Sequence, residues 1–252
     1  MAYQISNKGI KAMQLLLGFC LLFFLNFAEV EAASLDILVN QQKVALPYWH
    51  FKGKKQHGVV AIINGEQDSE GSELVNSLGK ALAKHGWSVA LLNTSLQIPV
   101  PWTEQLPETL TTLRKKNSKR MVVIHYGSQL KNSVNYFTQL QSKQASGLVL
   151  LSAFDHPENK EVANLIKKIP FPVLDITGQF DYTPVLEQAS IRQLTIKNER
   201  YLHRRLPGAN HDYAYSKNIL VAIINGWMKK LKSARPVKAP IILDKSIPNS
   251  HQ

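Results

Sequence analysis

The sequence is poor in cysteine and in acidic residues. The chain of 252 residues contains one cysteine, Cys20, which lies inside an apolar run near the N-terminus. No intramolecular disulfide is therefore available, and stability must come from a buried core. The chain has 18 acidic residues and 30 lysines and arginines, which gives a net charge of +12. A basic protein of this kind is drawn to anionic partners.

Several common site motifs are also missing. The sequence contains no G-x-G-x-x-G or Walker pattern, so no glycine-rich phosphate loop is predicted. Its eight histidines show no H-x-x-x-H spacing, and there is no C-x-x-C pair, so we expect neither a metal site nor a cofactor. The basic residues form short clusters, such as Lys229 to Lys232, that suit helix ends better than a nucleic-acid motif.

Residues 1–32 have the three parts of a secretory signal peptide. Lys8 and Lys11 precede an apolar run from Leu15 to Leu25, and small residues surround a cleavage position after Ala32. The apolar run is shorter than the ~20 residues that a membrane-spanning helix needs. The pattern predicts export, to the periplasm, of a mature chain without a transmembrane segment.

Short apolar runs alternate with segments of helical length, which predicts a mostly parallel, doubly wound sheet. An antiparallel hairpin is expected at one edge, because two apolar runs flank Asn40 to Lys43. One domain is predicted over residues 33–232, followed by a proline-containing flexible tail over residues 233–252. The predicted strands are Leu35–Val39, Val44–Trp49, Gly58–Ile63, Ser88–Leu92, Met121–Ile124, Gly147–Leu151, Pro172–Ile176 and Tyr201–Leu206. The predicted helices are Ser72–His85, Thr103–Asn117, Gln129–Lys143, Pro157–Lys168 and Ser216–Leu231.

Polar residues follow three of these strands. Asp181 follows the strand PVLDI, His211 follows the last strand, and His125-Tyr126-Gly127-Ser128 follows MVVI. Open α/β sheets build their sites at such carboxyl ends. The order resembles the α/β-hydrolase fold, whose active sites run nucleophile, acid, histidine along the chain. Over roughly residues 57 to 232, the resemblance implies that Asp181 orients His211 and that His211 is the base.

Five stretches carry a narrower resemblance: IINGEQ, AKHGWSVALLN, GLVLLSA, PVLDITGQFD and LPGANHDYAY. They are similar to an uncharacterised group of exported bacterial proteins called domain of unknown function 3530. That resemblance implies an α/β-hydrolase-like three-layer sandwich, but it supplies no substrate.

The nucleophile position departs from the hydrolase pattern. A G-x-S-x-G turn presents serine on a strained strand-to-helix corner. Aligning MVVI with that corner puts Tyr126 at the serine, while Ile124 and Ser128 replace the glycines. A phenol with a pKa of ~10 is a poor nucleophile. We therefore expect Tyr126 to lie close to His211 and to plug the pocket.

Two residues have both a catalytic and an ordinary interpretation. Ser128 is the alternative nucleophile, but a serine at the start of a helix is also a common N-cap. Asn64 and Gly65 follow GVVAII, where a hydrolase places an oxyanion donor, yet the same residues suit a simple turn.

Two functions remain open from the sequence. The favoured one is an exported hydrolase-like protein that has lost its nucleophile and binds an unknown small molecule or an anionic envelope component. In that case Asp181 and His211 could form a buried, hydrogen-bonded pair whose role is structural. The alternative is an ester or amide hydrolase that uses Ser128, His211 and Asp181.

Overall fold

The computed structural model describes residues 32–66, 69–93, 100–116, 120–139, 145–155 and 161–233. Nearly all of the predicted signal peptide and of the predicted tail lies outside these ranges. The chain from Ala32 onward forms a compact unit of its own. Across the described ranges, no helix has the length and apolar character needed to cross a membrane.

Eight strands and six helices are found within these ranges. The strands are β1 (Ala33–Val39), β2 (Gln42–Trp49), β3 (Gly58–Asn64), β4 (Trp87–Asn93), β5 (Met121–Tyr126), β6 (Gly147–Leu151), β7 (Val173–Phe180) and β8 (Tyr201–Asn210). The helices are α1 (Ser69–Lys84), α2 (Trp102–Lys116), α3 (Leu130–Thr138), α4 (Val162–Lys168), α5 (Thr183–Thr195) and α6 (Lys217–Lys230).

All eight strands belong to one sheet, in the order β1-β2-β4-β3-β5-β6-β7-β8. The pairs β1–β2 and β2–β4 are antiparallel, and the other pairs are parallel. Asn40 and Gln41 both have positive φ values, 47° and 66°, as a two-residue turn between twisted strands requires. The predicted mostly parallel sheet with an antiparallel edge hairpin is confirmed.

Helices cover both faces of the sheet. The central strands β3, β5 and β6 are buried along their whole length, which explains their unbroken apolar sequences. On one face, Val59, Ala61 and Ile63 belong to the same core as Leu106 and Leu110 of α2. Helix α1 contacts β3 and β4 and also contacts α6. The predicted three-layer sandwich is therefore also confirmed.

Some predicted bounds differ from the structure. Helix α5 was not predicted, because its apolar face is weak; Pro184 in its first turn is the available signal. Strand β8 runs to Asn210 rather than to Leu206, since its pairing with β7 continues past an irregularity near Gly178. Helix α3 ends at Thr138, and the rest of its predicted range lies largely outside the described residues, as does the start of the predicted helix Pro157–Lys168.

Candidate functional site

Asp181 and His211 meet at the carboxyl edge of the sheet. Asp181 directly follows β7 and His211 directly follows β8, because parallel neighbours bring their carboxyl ends together. The Nδ1 atom of His211 lies 2.6 Å from Oδ1 of Asp181, and both residues are buried. Burial alone would raise the pKa of Asp181, but hydrogen bonds from His211 and Ser152 outweigh it and lower that pKa. An ionised Asp181 thus orients the imidazole.

Ser152 and Tyr213 hold the other side of this carboxylate. The Ser152 hydroxyl donates to Oδ2 of Asp181 at 2.5 Å and lies 2.7 Å from the Tyr213 hydroxyl. The backbone N–H of Gly178 donates to the same oxygen at 2.9 Å. Ser152 and Tyr213 have φ values of 45° and 53°, which cost an L-residue about 1–2 kcal/mol each. Sequence reasoning missed both residues, although Ser152 follows β6 at the same sheet edge.

The strand-to-helix corner falls at Gly127, one residue later than the alignment placed it. Strand β5 includes Tyr126, and Gly127 follows with a φ of 78°. Gln129, with a φ of 66°, then begins helix α3 as its N-cap. The residue at the corner therefore has no side chain, which permits its left-handed backbone and removes any nucleophilic atom.

Glu66 fills the space above this glycine. A Cβ atom on Gly127 would overlap Oε1 of Glu66 and would lie 2.7 Å from the carboxyl carbon. The same Oε1 accepts a hydrogen bond of 3.0 Å from the Ser128 N–H and lies 3.9 Å from Nε2 of His211. A carboxylate from the β3–α1 loop thus stands where a corner nucleophile would project. Sequence reasoning assigned no role to Glu66.

The donors that would form an oxyanion hole are already engaged. The N–H of Gly65 donates to the Tyr126 carbonyl at 2.8 Å, and the N–H of Glu66 donates to the Asn64 side chain at 3.1 Å. The N–H of Ser128 is bound to Glu66. A Cβ on Gly65 would overlap the Ser128 carbonyl, so only glycine permits this approach of the loop to the corner. Asn64 ends β3, and the hydrogen bond of Gly65 ties the loop to the corner.

Ser128 is turned toward this loop. Its hydroxyl donates to the Gly65 carbonyl at 2.7 Å, and its own carbonyl accepts a bond from Nε2 of His125 at 2.8 Å. The N-cap interpretation of Ser128 is wrong, because Gln129 holds that position and makes no side-chain capping bond. The hydroxyl that the alternative mechanism needs is thus directed to a carbonyl rather than to His211.

Tyr126 packs beside His211 without occupying the corner. Its side chain is fully buried, the two ring centroids are 5.1 Å apart, and its hydroxyl faces the His211 carbonyl at 3.5 Å. The expected proximity of Tyr126 to His211 is found. The space above Gly127, however, is filled by Glu66.

The remaining face of His211 is covered by Tyr182. The two rings stack with centroids 4.0 Å apart and an angle of 15° between their planes. The Nε2 atom of His211 is buried, and it has no hydrogen-bond partner among the described residues. The described residues also contain no cluster of three or more histidine, cysteine or acidic side chains that would hold a metal ion.

Solved structures to which the chain is similar include esterases and other hydrolases. The chain matches the esterase domain of a Rhodothermus marinus protein with a TM-score of 0.64 and 10% identity, over 80% of this chain and 99% of that one. It matches dienelactone hydrolase from Anabaena variabilis with a TM-score of 0.64 and 12% identity, over 81% and 99%. An alpha-beta serine hydrolase homologue from Coxiella burnetii gives a TM-score of 0.62 and 15% identity, over 79% and 98%.

These likenesses define the class of fold: the chain has the α/β-hydrolase fold. The identities are too low to carry more than the fold. Comparisons with protein-family models and with curated protein sequences find no match.

Proposed function

We propose that this protein is an exported, non-catalytic member of the α/β-hydrolase fold that acts by binding. The observation that carries the proposal is the position of Glu66: its carboxylate occupies the space above Gly127 and takes the N–H of Ser128. Acyl transfer needs a nucleophile at the corner and free donors for the developing oxyanion. Neither requirement is met by the contacts of Gly127 and Ser128.

The buried His211–Asp181 pair fits this proposal as part of the protein's structure. The pair shares hydrogen bonds with Ser152 and Gly178, and Tyr182 stacks on its imidazole. The hydrogen bonds around Asp181 fix one arrangement of the loops that follow β6, β7 and β8. The pair therefore has a structural use that does not require turnover.

The alternative is an ester or amide hydrolase that uses Ser128, His211 and Asp181. The hydrogen bond from the Ser128 hydroxyl to Gly65 argues against it, because that hydroxyl would have to leave the carbonyl and reach the imidazole. A rotation of Ser128 would also leave Glu66 between the corner and His211.

The signal-peptide pattern of residues 1–32 supports export to the periplasm, and the five stretches IINGEQ to LPGANHDYAY support membership of domain of unknown function 3530. N-terminal sequencing of the protein released by an expressing bacterium tests the export proposal. Cleavage after Ala32 is expected, and an intact N-terminus retained in the membrane fraction would contradict it.

Ester turnover tests the loss of catalysis. Purified protein and its His211→Ala and Ser128→Ala variants are given short-chain p-nitrophenyl esters at equal concentration. We expect all three to give the same background rate. Loss of a catalytic serine costs about a millionfold in a well-studied triad enzyme, so a working site would separate the variants clearly. A rate that falls in both variants would establish the alternative.

A further inference from the structure

The two loops that follow β7 and β8 expose an unusual share of the large apolar side chains. In the described residues, six such side chains are exposed, and four of them lie at the end of β7, in these two loops or in the first turn of α6. They are Phe180 (66% exposed), Tyr182 (47%), Tyr215 (97%) and Ile219 (61%). We call these four residues the aromatic edge.

The members of the aromatic edge come from neighbouring parts of the fold. Phe180 is paired with Asn210 at the end of the β7–β8 ladder. Tyr182 stacks on His211, and Tyr215 follows His211 by four residues through a turn in which the Ser216 N–H bonds to the Tyr213 carbonyl. Ile219 is the third residue of α6, four residues after Tyr215. Exposed apolar groups that cluster on neighbouring segments of the fold mark interaction surfaces more often than isolated ones do.

Cationic side chains accompany the aromatic edge. Arg204 and Arg205 are exposed on β8, which is the last strand of the sheet. A guanidinium N–H of Arg205 donates to the Gln179 carbonyl at 2.9 Å, which places this charge beside Phe180. Lys217 lies between Tyr215 and Ile219 and pairs with Glu73 at 2.9 Å. Asp181 and Asp212 are the acidic residues of the two loops, so the attraction to an anionic surface comes from Arg205 beside Phe180 and from the net charge of the whole chain.

We propose that the aromatic edge docks onto an anionic lipid bilayer. Tyrosine and phenylalanine suit the interface between headgroups and acyl chains, and arginines beside them are attracted to anionic headgroups. The net charge of +12 adds a long-range attraction to such a surface. This inference rests on the binding role proposed above, for which it names the partner.

Vesicle sedimentation tests the proposal with the chain that begins at Ala33, so that no apolar N-terminal segment contributes. The vesicles contain either phosphatidylcholine alone or phosphatidylcholine with about one-third phosphatidylglycerol. We expect binding to the anionic vesicles, little binding to the neutral ones, and weakening as salt is raised. The double variant Phe180→Ser, Tyr215→Ser should bind about tenfold more weakly or worse, because two exposed rings no longer enter the interface.

Leu38→Ser is the matched control. Leu38 is 63% exposed, but it lies on β1, at the opposite edge of the sheet from β8. Its substitution should leave vesicle binding unchanged, and circular dichroism confirms that both variants are folded. Absence of binding to anionic vesicles would overturn the proposal and favour a protein partner. Equal binding by the double variant would overturn it in favour of charge alone, and an equal loss in Leu38→Ser would show non-specific adsorption.

The two proposals fail separately. His211-dependent ester turnover would overturn the non-catalytic function whatever the vesicles show. Loss of vesicle binding in the absence of turnover would overturn only the choice of partner.

Discussion

The carboxylate of Glu66 lies 3.9 Å from Nε2 of His211 and accepts a hydrogen bond from the backbone of Ser128. In a serine hydrolase the imidazole faces a hydroxyl group, and the N–H after the nucleophile faces the substrate oxygen. Here one acidic side chain takes both places. The Asp181–His211 pair is in place, and the Glu66 carboxylate occupies the space above Gly127.

The competition between Glu66 and a side chain at position 127 can be measured by a double-mutant cycle. Gly127→Ala should lower the free energy of unfolding by about 1–2 kcal/mol through its left-handed backbone and by roughly 1–3 kcal/mol more through overlap with Glu66. In a Glu66→Gly background only the first cost should remain. Urea unfolding of the four proteins gives the coupling. Equal costs in both backgrounds would show that Glu66 does not occupy this space.

His125 should make stability depend on pH. Burial, above all, lowers its pKa from 6.5 to about 4, and its ring nitrogens bond to Ser133 and to the Ser128 carbonyl. The unfolded state therefore binds a proton at a higher pH than the folded state. The free energy of unfolding is therefore highest above pH 6.5 and decreases as the pH falls toward about 4. The total decrease is about 3 kcal/mol.

The measurement is urea unfolding between about pH 7 and about pH 4, the range that spans the unfolded and folded pKa values of His125. A His125→Gln variant keeps a polar side chain but cannot titrate, so its stability should change less over the same range. Parallel curves for the two proteins would contradict the assignment of this pH dependence to His125.

Ser152 should matter for stability without any role in turnover. Ser152→Ala removes a donor from the buried carboxylate of Asp181 and leaves the Tyr213 hydroxyl only its 3.5 Å contact with the Ile176 carbonyl. We expect a loss of about 1–3 kcal/mol in thermal or urea unfolding. Ser190→Ala is the matched control, because the Ser190 hydroxyl bonds to the Leu186 carbonyl on the exposed side of α5. That variant should change stability by less than ~0.5 kcal/mol.

Sequence periodicity was sufficient to predict the layers of the fold, because the buried strands are short, continuous apolar runs such as GVVAII. It was also sufficient to bring Asp181 and His211 to one sheet edge, since both follow predicted parallel strands. Helix α5 was missed because its sequence, TPVLEQASIRQLT, has only a weak apolar face. Strand β8 was cut short because Pro207 and Gly208 look like a turn in sequence.

The central part of the site could not be predicted from local patterns. The corner falls at Gly127 rather than Tyr126 because Gly127 has a left-handed backbone with a φ of 78°. The periodicity of apolar residues does not predict such a conformation. Glu66 reaches the corner from a different loop, and it fits only because Gly65 and Gly127 both lack side chains. That relationship is three-dimensional and depends on residues more than 60 positions apart in the chain.

Reaction with a fluorophosphonate, followed by intact-protein mass, tests most directly the claim that Glu66 has replaced the nucleophile. A serine whose hydroxyl is activated by an adjacent general base displaces fluoride from such a reagent and keeps the phosphonyl group. We predict that the mass of the protein stays unchanged, with a known serine esterase labelled in parallel as the positive control. A single adduct that disappears in both Ser128→Ala and His211→Ala would contradict the account and establish a working serine hydrolase.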